Sequence, residues 1–244
     1  LDLRSYSVSR AVTASSAVPG LFSPITLENF SGSCGFEPPD WIGDALKDED
    51  STNRKAHAQD IKAYLDREKR PWLFLVDGGV ADNLGLRAFY ELFELQGDLQ
   101  NTLRSINHAD VKQILMIAVD SHTKPNSPWA LKRLNPSLPQ VLGSVSAVQI
   151  GRYSRDTMEI VNNGFYKWTD ELNKAGHPVT FDFVEVSFAN VQNEDDRTRL
   201  FEIGTSFSLS NEEVDLLIAS ARQVLRQSFA FQDFLNENKE LMGR

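Results

Sequence analysis

The residue best placed to do chemistry is Asp77, which follows a run of five apolar residues and precedes two glycines. The run, residues 72–76, has no polar alternation, which is typical of a strand covered on both faces in an α/β protein. Gly78 and Gly79 allow the chain to turn sharply or to take a positive φ directly after this strand. A carboxylate at such a strand end can serve as a base or a metal ligand, although Asp-Gly is also a common turn pair.

A second motif lies upstream, in the small residues and prolines of segment 14–24. Together with the Asp77 motif, Val-Asp-Gly-Gly-Val-Ala-Asp-Asn, it resembles the patatin-like phospholipases. In that family an Ala-Ser-Ser-Ala-x-Pro-x-x-Phe-x-Pro segment precedes Asp-Gly-Gly or Asp-Gly-Ala. The motif-supporting residues here are Ser15 and Pro19, and Ser15 is expected to be a small packing residue near the site. Residues 204–209 and the helix after them are similar to the tail of bacterial members.

The resemblance implies a three-layer α/β/α sandwich and a serine acyl hydrolase acting on lipid carboxylic esters, of the phospholipase A or lysophospholipase type. The implied dyad is a serine and an aspartate without histidine, and Asp77 would be the aspartate. A serine hydroxyl is a weak nucleophile until a neighbouring base accepts its proton. Because an unperturbed aspartate has a pKa of about 3.9, such a site needs close geometry and desolvation. It requires no metal and no cofactor.

The chain departs from the family at the nucleophile. The family's serine lies in a Gly-x-Ser-x-Gly elbow and its oxyanion hole in a glycine-rich loop, both before the Ala-Ser-Ser-Ala segment. Neither motif occurs before residue 14. We therefore expect residues 1–244 to be the C-terminal part of a single patatin-like domain. The sandwich is then incomplete, the serine lies on a missing N-terminal portion of the same protein, and this chain alone is inactive.

One serine inside the chain imitates an elbow. Ser33 lies in Ser-Gly-Ser-Cys-Gly, which fits a relaxed version of the pattern. An elbow needs a strand before the serine and a helix after it, whereas Pro38 and Pro39 follow closely and no strong strand precedes. We therefore do not assign Ser33 as the nucleophile.

The remaining pattern predicts alternating helices and strands. Residues 30–70 are expected to be an inserted loop and helix, either a flap beside the acyl pocket or a surface excursion. In it Trp41, Ile42 and Leu46 are candidates for lipid contact or for ordinary packing. Asp82 and Asn83 are predicted to cap the helix that follows them. Residues 7–17 are predicted to form a short helix or turn. Further predicted helices cover residues 55–69, 84–95, 138–163 and a segment starting at the Ser210 capping box; predicted strands cover 72–76, 113–120 and 179–188.

Composition narrows the functional classes. The formal net charge of −9, with scattered Lys and Arg, disfavours nucleic acid as a partner. The single cysteine, Cys34, rules out an intrachain disulfide and a multi-cysteine zinc site, and the four histidines have no i,i+4 pairing. No apolar run approaches the roughly 20 residues of a membrane span. The expected partners are a lipid ester and, transiently, a membrane surface; the localisation is open, and membrane-associated and periplasmic locations both fit.

Two other functions compete with ester hydrolysis. Asp77 and Asp120, both at predicted strand ends, are hard ligands suited to Mg²⁺ in a phosphohydrolase, although Gly79 stands where a second acid would be expected. Alternatively, the protein is a catalytically inactive member that binds a lipid or another protein.

Overall fold

The computed structural model describes residues 5–19, 22–33, 35–49, 52–96, 99–123, 133, 135–204, 206 and 208–239. Cys34 lies outside the described residues, as do positions 20 and 21 of the upstream motif and positions 205 and 207 near the tail. The chain divides into two compact units, Leu1–Thr102 and Leu103–Arg244.

The first unit contains a two-stranded sheet among short helices. Its elements are, in order, α1 (Val8–Ser15), β1 (Ile25–Glu28), α2 (Asp40–Lys47), α3 (Thr52–Leu65), β2 (Trp72–Leu75), a 3₁₀ turn (Gly78–Val80) and α4 (Leu86–Gln96). A further helix, α5 (Leu99–Ser105), follows them in the chain.

The predicted strand before Asp77 is present, but the prediction that it is covered on both faces is wrong. β2 pairs antiparallel with β1, so that Thr26 lies opposite Phe74. On one face of β2, Trp72 is 54% exposed and Phe74 63% exposed. On the other face Leu75 is also exposed. The apolar run therefore predicted the strand correctly and its burial incorrectly, because burial depends on what packs against the strand.

The predicted excursion at residues 30–70 contains two helices, α2 and α3, packed on each other. Ile42 is buried, and Trp41 and Leu46 pack against the same small cluster. The Trp41 indole also stacks on the His57 imidazole, with 6.0 Å between ring centroids. Of the two alternatives for these side chains, lipid contact and ordinary packing, the structure shows packing between α2 and α3. The sequence missed α2 because its acids and the preceding prolines resemble a loop, yet Pro39 is the N-cap residue of this helix.

The second unit is built on a parallel strand pair. Its elements are β3 (Gln113–Asp120), α6 (Leu138–Lys174), β4 (Thr180–Ser187), a 3₁₀ turn (Phe188–Asn190), α7 (Glu194–Glu202), α8 (Asn211–Gln227) and α9 (Phe229–Glu237). β3 and β4 pair along their full length, from Gln113 opposite Thr180 to Asp120 opposite Ser187. The prediction of β3 is confirmed at both ends.

Side chains of β4 are buried on both of its faces. Phe181 stacks on Phe165 of α6, with 4.8 Å between ring centroids. Val184 and Val186 belong instead to a cluster that includes Val224 of α8. Because successive residues of a strand project to opposite faces, residue 181 and residues 184 and 186 lie on opposite sides. Helices therefore cover both faces of β4.

The long helix α6 differs most from its predicted extent. α6 continues for eleven residues beyond the predicted end at 163, because its last turns bury Phe165, Trp168 and Leu172. The predicted capping box at Ser210 is confirmed: the hydroxyl accepts from the Glu213 N–H, and the Glu213 carboxylate accepts from the Ser210 N–H at 2.7 Å. The elements that sequence patterns did not predict are β1, α2, α5, α7 and α9.

The fold class is mixed α/β. The described residues combine one parallel and one antiparallel strand pair with nine α-helices, most of them short. None of the described helices has both the length and the hydropathy to traverse a lipid bilayer.

Candidate functional site

Asp77 lies at the carboxyl end of β2, at the first residue of a tight turn. Its side-chain Oδ1 accepts a hydrogen bond from the Gly79 N–H at 2.7 Å, which makes Asp77 the N-cap of the 3₁₀ turn. The residue is half-buried. Its other carboxylate oxygen, Oδ2, makes no hydrogen bond to any described residue. The carboxylate is thus oriented by the backbone on one side and available to a further donor on the other.

The two sequence motifs meet at this turn. The Asp77 N–H donates to the Ala17 carbonyl oxygen at 3.0 Å, which joins the end of β2 to the segment after α1. Ala17 is 2% exposed and Ala14 is also buried, so the small side chains permit a close approach. Residues about 60 positions apart in the chain are therefore held together by one backbone hydrogen bond.

The two motif-supporting residues of this segment lie at its surface. Ser15 is on the exposed side of α1, so the expectation that it packs near the site is wrong; Ala14 and Ala17 fill that role. Ser16 uses its hydroxyl to donate to the Val12 carbonyl oxygen at 2.9 Å. Pro19 is exposed and forms an isolated bridge with Phe22.

Gly79 is required by the geometry of the carboxylate. A Cβ atom added at this position would lie 2.8 Å from Asp77 Oδ1 and 2.9 Å from Asn83 Oδ1, closer than real Cβ contacts. At Gly78 an added Cβ would have no atom within 4 Å. The sequence suggested that the glycines allow either a sharp turn or a positive φ. Neither glycine has a positive φ, so the sharp turn is the explanation that remains. Only at the second glycine would a side chain force the Asp77 and Asn83 side chains to move.

The acid and the amide that follow the glycines have different positions: Asp82 bonds to the next helix, and the Asn83 side chain lies beside Gly79. Asp82 Oδ2 accepts from the Ala88 N–H at 3.0 Å, in the first turn of α4, which confirms the predicted capping by Asp82. The helix begins at Leu86, two residues later than predicted. Asn83 instead places its Oδ1 beside Gly79. The sequence analysis did not predict that the Asn83 side chain lies beside Gly79. The feature that could have indicated it is the short spacing between the glycines and Asn83 in the run Asp-Gly-Gly-x-x-Asp-Asn.

The second predicted acid, Asp120, is at the carboxyl end of β3 in the other unit. Its Oδ1 accepts from the His122 N–H at 2.9 Å. The His122 ring lies directly against Gly151 of α6, within 2.6 Å of where a Cβ would be. Among the described residues no three His, Cys, Asp or Glu side chains are grouped so that they could bind a metal ion.

Ser33 does not occupy a strand-to-helix elbow. It lies in a turn at residues 31–33, and its hydroxyl donates to the Phe30 carbonyl oxygen at 2.7 Å. The next helix begins only at Asp40. A serine whose hydroxyl is bonded within its own turn, with no helix directly after it, lacks the strand-to-helix geometry that the elbow gives a nucleophile.

Comparison of the chain with protein-family models, curated proteins and solved structures gave no match. The resemblance to patatin-like phospholipases therefore rests on the two motifs and on the way they meet.

Proposed function

We propose that the complete protein is a serine acyl hydrolase acting on lipid carboxylic esters, in which Asp77 is the base of a Ser-Asp dyad. The single observation that carries this proposal is the Asp77 turn. One oxygen of its carboxylate is fixed by the Gly79 N–H, the other has no partner among the described residues, and the backbone is tied to Ala17. A base must be held still and yet remain open to one donor.

The proposed reaction needs only groups that this geometry accommodates. The hydroxyl of the serine donates to Asp77 Oδ2 and loses its proton as its oxygen attacks the ester carbonyl. Asp77 then returns that proton to the leaving alcohol, and water repeats the cycle on the acyl-enzyme. Oδ1 keeps the Gly79 N–H as its partner throughout, so the carboxylate does not rotate away.

The serine is proposed to lie on a further portion of the same protein. This proposal is supported by the strand before Asp77, because β2 exposes large apolar side chains on both faces. Soluble proteins seldom leave a contiguous apolar surface of this kind without a partner. A layer placed on each face would complete a three-layer α/β/α sandwich, of which residues 1–244 form the C-terminal part and residues 30–70 an insertion.

The first test is Asp77→Asn in the complete protein, with Asp82→Asn as the matched control. Both amides keep an oxygen that can accept the existing backbone N–H, from Gly79 and from Ala88 respectively. We expect Asp77→Asn to lower kcat for a lipid ester by about 10²–10⁴-fold, the range of general-base catalysis. The control is expected to remain within severalfold of wild type. Wild-type turnover in a folded Asp77→Asn variant would refute the dyad.

Two measurements separate the competing functions. A fluorophosphonate label should attach to a serine in the complete protein and leave residues 1–244 alone unlabelled. Failure to label the complete protein would favour the inactive, lipid- or protein-binding alternative. Loss of turnover on treatment with a chelator, restored by Mg²⁺, would favour the phosphohydrolase that uses Asp77 and Asp120.

A further inference from the structure

A cavity of about 180 Å³ lies at the carboxyl ends of β3 and β4 in the second unit. The 3₁₀ turn after β4 and one side of α8 complete its wall. The lining is mixed: Val119, Val186, Phe188, Val191, Leu217, Ala221 and Val224 are apolar, whereas Asp120, Ser121, Ser187 and Ser220 are polar. Ligands of α/β proteins commonly bind outside the carboxyl ends of the strands. The position and the lining together indicate a ligand with both a polar and an apolar part.

Two polar residues of the lining are neighbours across the strand pair. Asp120 lies opposite Ser187 in the parallel register, so their side chains project to the same face of the pair. Val119 and Val186 are also opposite each other, and they project to the other face. A cavity that contacts all four residues therefore extends around the ends of the two strands.

Asp120 and Ser187 both have hydrogen-bonding capacity that the described protein does not use. Ser187 is 8% exposed, and its buried hydroxyl makes no hydrogen bond to any described residue. Asp120 Oδ1 accepts from the His122 N–H, whereas its Oδ2 has no partner among the described residues. Buried polar groups in native proteins are nearly always hydrogen-bonded, so the Ser187 hydroxyl requires an explanation. A donor bound at the strand ends would supply a partner for both side chains.

The charge of the lining indicates which donor this is. Asp120 is the single charged residue among the described residues that line the cavity, so it favours a cation and disfavours an anion. An ammonium group has three N–H donors and no acceptor, which matches the Asp120 carboxylate and the oxygens of Ser121 and Ser187. Ser220 makes no further demand on the ligand, because a serine within a helix can donate to a carbonyl oxygen of its own preceding turn.

We propose that this cavity binds a small organic cation, a primary ammonium ion with a short apolar body. The ammonium group lies at the strand ends beside Asp120 and Ser187, and the body packs against Val186 and against Leu217 and Val224 of α8. A cavity of about 150 Å³ accommodates benzene, so the space here suits a body of about five or six carbon atoms. This inference does not depend on the ester hydrolysis proposed above.

The test titrates pentylammonium, 1-pentanol and methylammonium into the full chain at neutral pH, followed by methyl NMR. Pentanol has the same body without the charge, and methylammonium has the same charge without the body. Pentylammonium should cause saturable shifts of the Val186, Leu217 and Val224 methyls. It should bind at least about tenfold more tightly than either control, because a hydrogen bond to a charged group and the burial of four methylene groups each contribute that much.

Three results of these titrations would overturn the proposal. Equal affinity for pentylammonium and pentanol would mean that the charge is not recognised. Equal affinity for pentylammonium and methylammonium would mean only a general attraction of cations to a chain of net charge −9. The absence of a saturable shift at the three methyl-bearing residues would mean that the cavity is not the site.

A pair of variants locates the ammonium group. Asp120→Asn and Asp215→Asn each remove one negative charge, and the amide at position 120 keeps an oxygen that can accept from the His122 N–H. Asp215 is exposed on α8 and is not part of the lining. Asp120→Asn should lower the pentylammonium affinity at least about tenfold and leave pentanol binding unchanged, whereas Asp215→Asn should have little effect. Equal losses in the two variants contradict the placement.

Ser187→Ala separates binding from folding. Because the Ser187 hydroxyl makes no hydrogen bond to a described residue, its removal should leave the urea midpoint unchanged or slightly raised. Pentylammonium should nevertheless bind severalfold more weakly to this variant, because one acceptor of the ammonium group is lost. Unchanged affinity contradicts the proposal, and this result decides if Asp120→Asn does not fold.

Discussion

Among the described residues, β2 and β4 both carry large apolar side chains, which lie in opposite environments. β2 exposes aromatic and aliphatic side chains on both faces, and its antiparallel partner β1 is only four residues long. β4 buries side chains on both faces, against α6 on one side and α8 on the other. Apolar side chains in a strand thus favour burial, but only the tertiary structure shows whether other elements pack against them.

The difference matters most at the candidate site. The Asp77 turn is well defined by short hydrogen bonds, although the sheet that leads into it has little core of its own. The second unit has the reverse character, since its strand-end acid, Asp120, makes a similar hydrogen bond to the His122 N–H but follows a strand pair that belongs to aromatic and aliphatic clusters. The turn at the site is therefore held by local hydrogen bonds rather than by a core beneath its sheet.

The largest expected effect tests the contrast in burial directly. Phe165 of α6 is 0% exposed and packs on Phe181 and Trp168, whereas Phe74 of β2 is 63% exposed. Phe165→Ala should lower the free energy of unfolding by about 3–5 kcal/mol. Phe74→Ala in this chain should change it by less than about 0.5 kcal/mol. Urea unfolding measures both, and an equal loss would mean that β2 is covered in solution.

A smaller effect tests whether the turn is rigid within its exposed sheet. Gly79→Ala forces a methyl group against Asp77 Oδ1 and Asn83 Oδ1, and should lower the free energy of unfolding by about 1–3 kcal/mol. Gly78→Ala meets no atom and serves as the control, with an expected change below about 0.5 kcal/mol. In the complete protein, Gly79→Ala should also lower kcat. If the two variants behave alike, the turn is loose and the spacing around the carboxylate is not fixed.

The smallest effect concerns the docking of α9 on the buried strand pair. Burial, and then the charges of Glu237 and Asp233, raise the pKa of the Asp182 carboxyl. A raised pKa in the folded state means that Asp182 favours folding below its unfolded pKa of about 3.9, and that this contribution is lost as the pH rises through the folded value. Asp182→Asn should therefore stabilise the protein at pH 7 and have little effect near pH 3.

The measurement is the urea midpoint at the two pH values, with Asp215→Asn on the exposed side of α8 as the control. The control should show no comparable gain at pH 7. A gain for Asp182→Asn that is the same at both pH values would contradict the assigned cause, because burial and the like charges on α9 disfavour only the ionised carboxyl of Asp182.

Local sequence rules determined much of the secondary structure. The apolar runs predicted β2, β3 and β4, and the Ser210 capping box predicted the start of α8, since both signals depend on residues near one another in the chain. The Asp-Gly-Gly motif likewise predicted a sharp turn with a presented carboxylate. Short elements such as β1 and α2 were missed because their local patterns are weak or resemble loops, and packing decides them.

The sequence by itself thus determined where the acid stands and that the chain turns sharply directly after it. Only the tertiary structure decided that the Asp77 N–H donates to the Ala17 carbonyl oxygen, that the Asn83 side chain lies beside Gly79, and that β2 is exposed whereas helices cover β4. The physical reason is that turns, caps and strand propensity are set by neighbours in the chain, whereas burial and long-range hydrogen bonds depend on groups that folding brings from a distance.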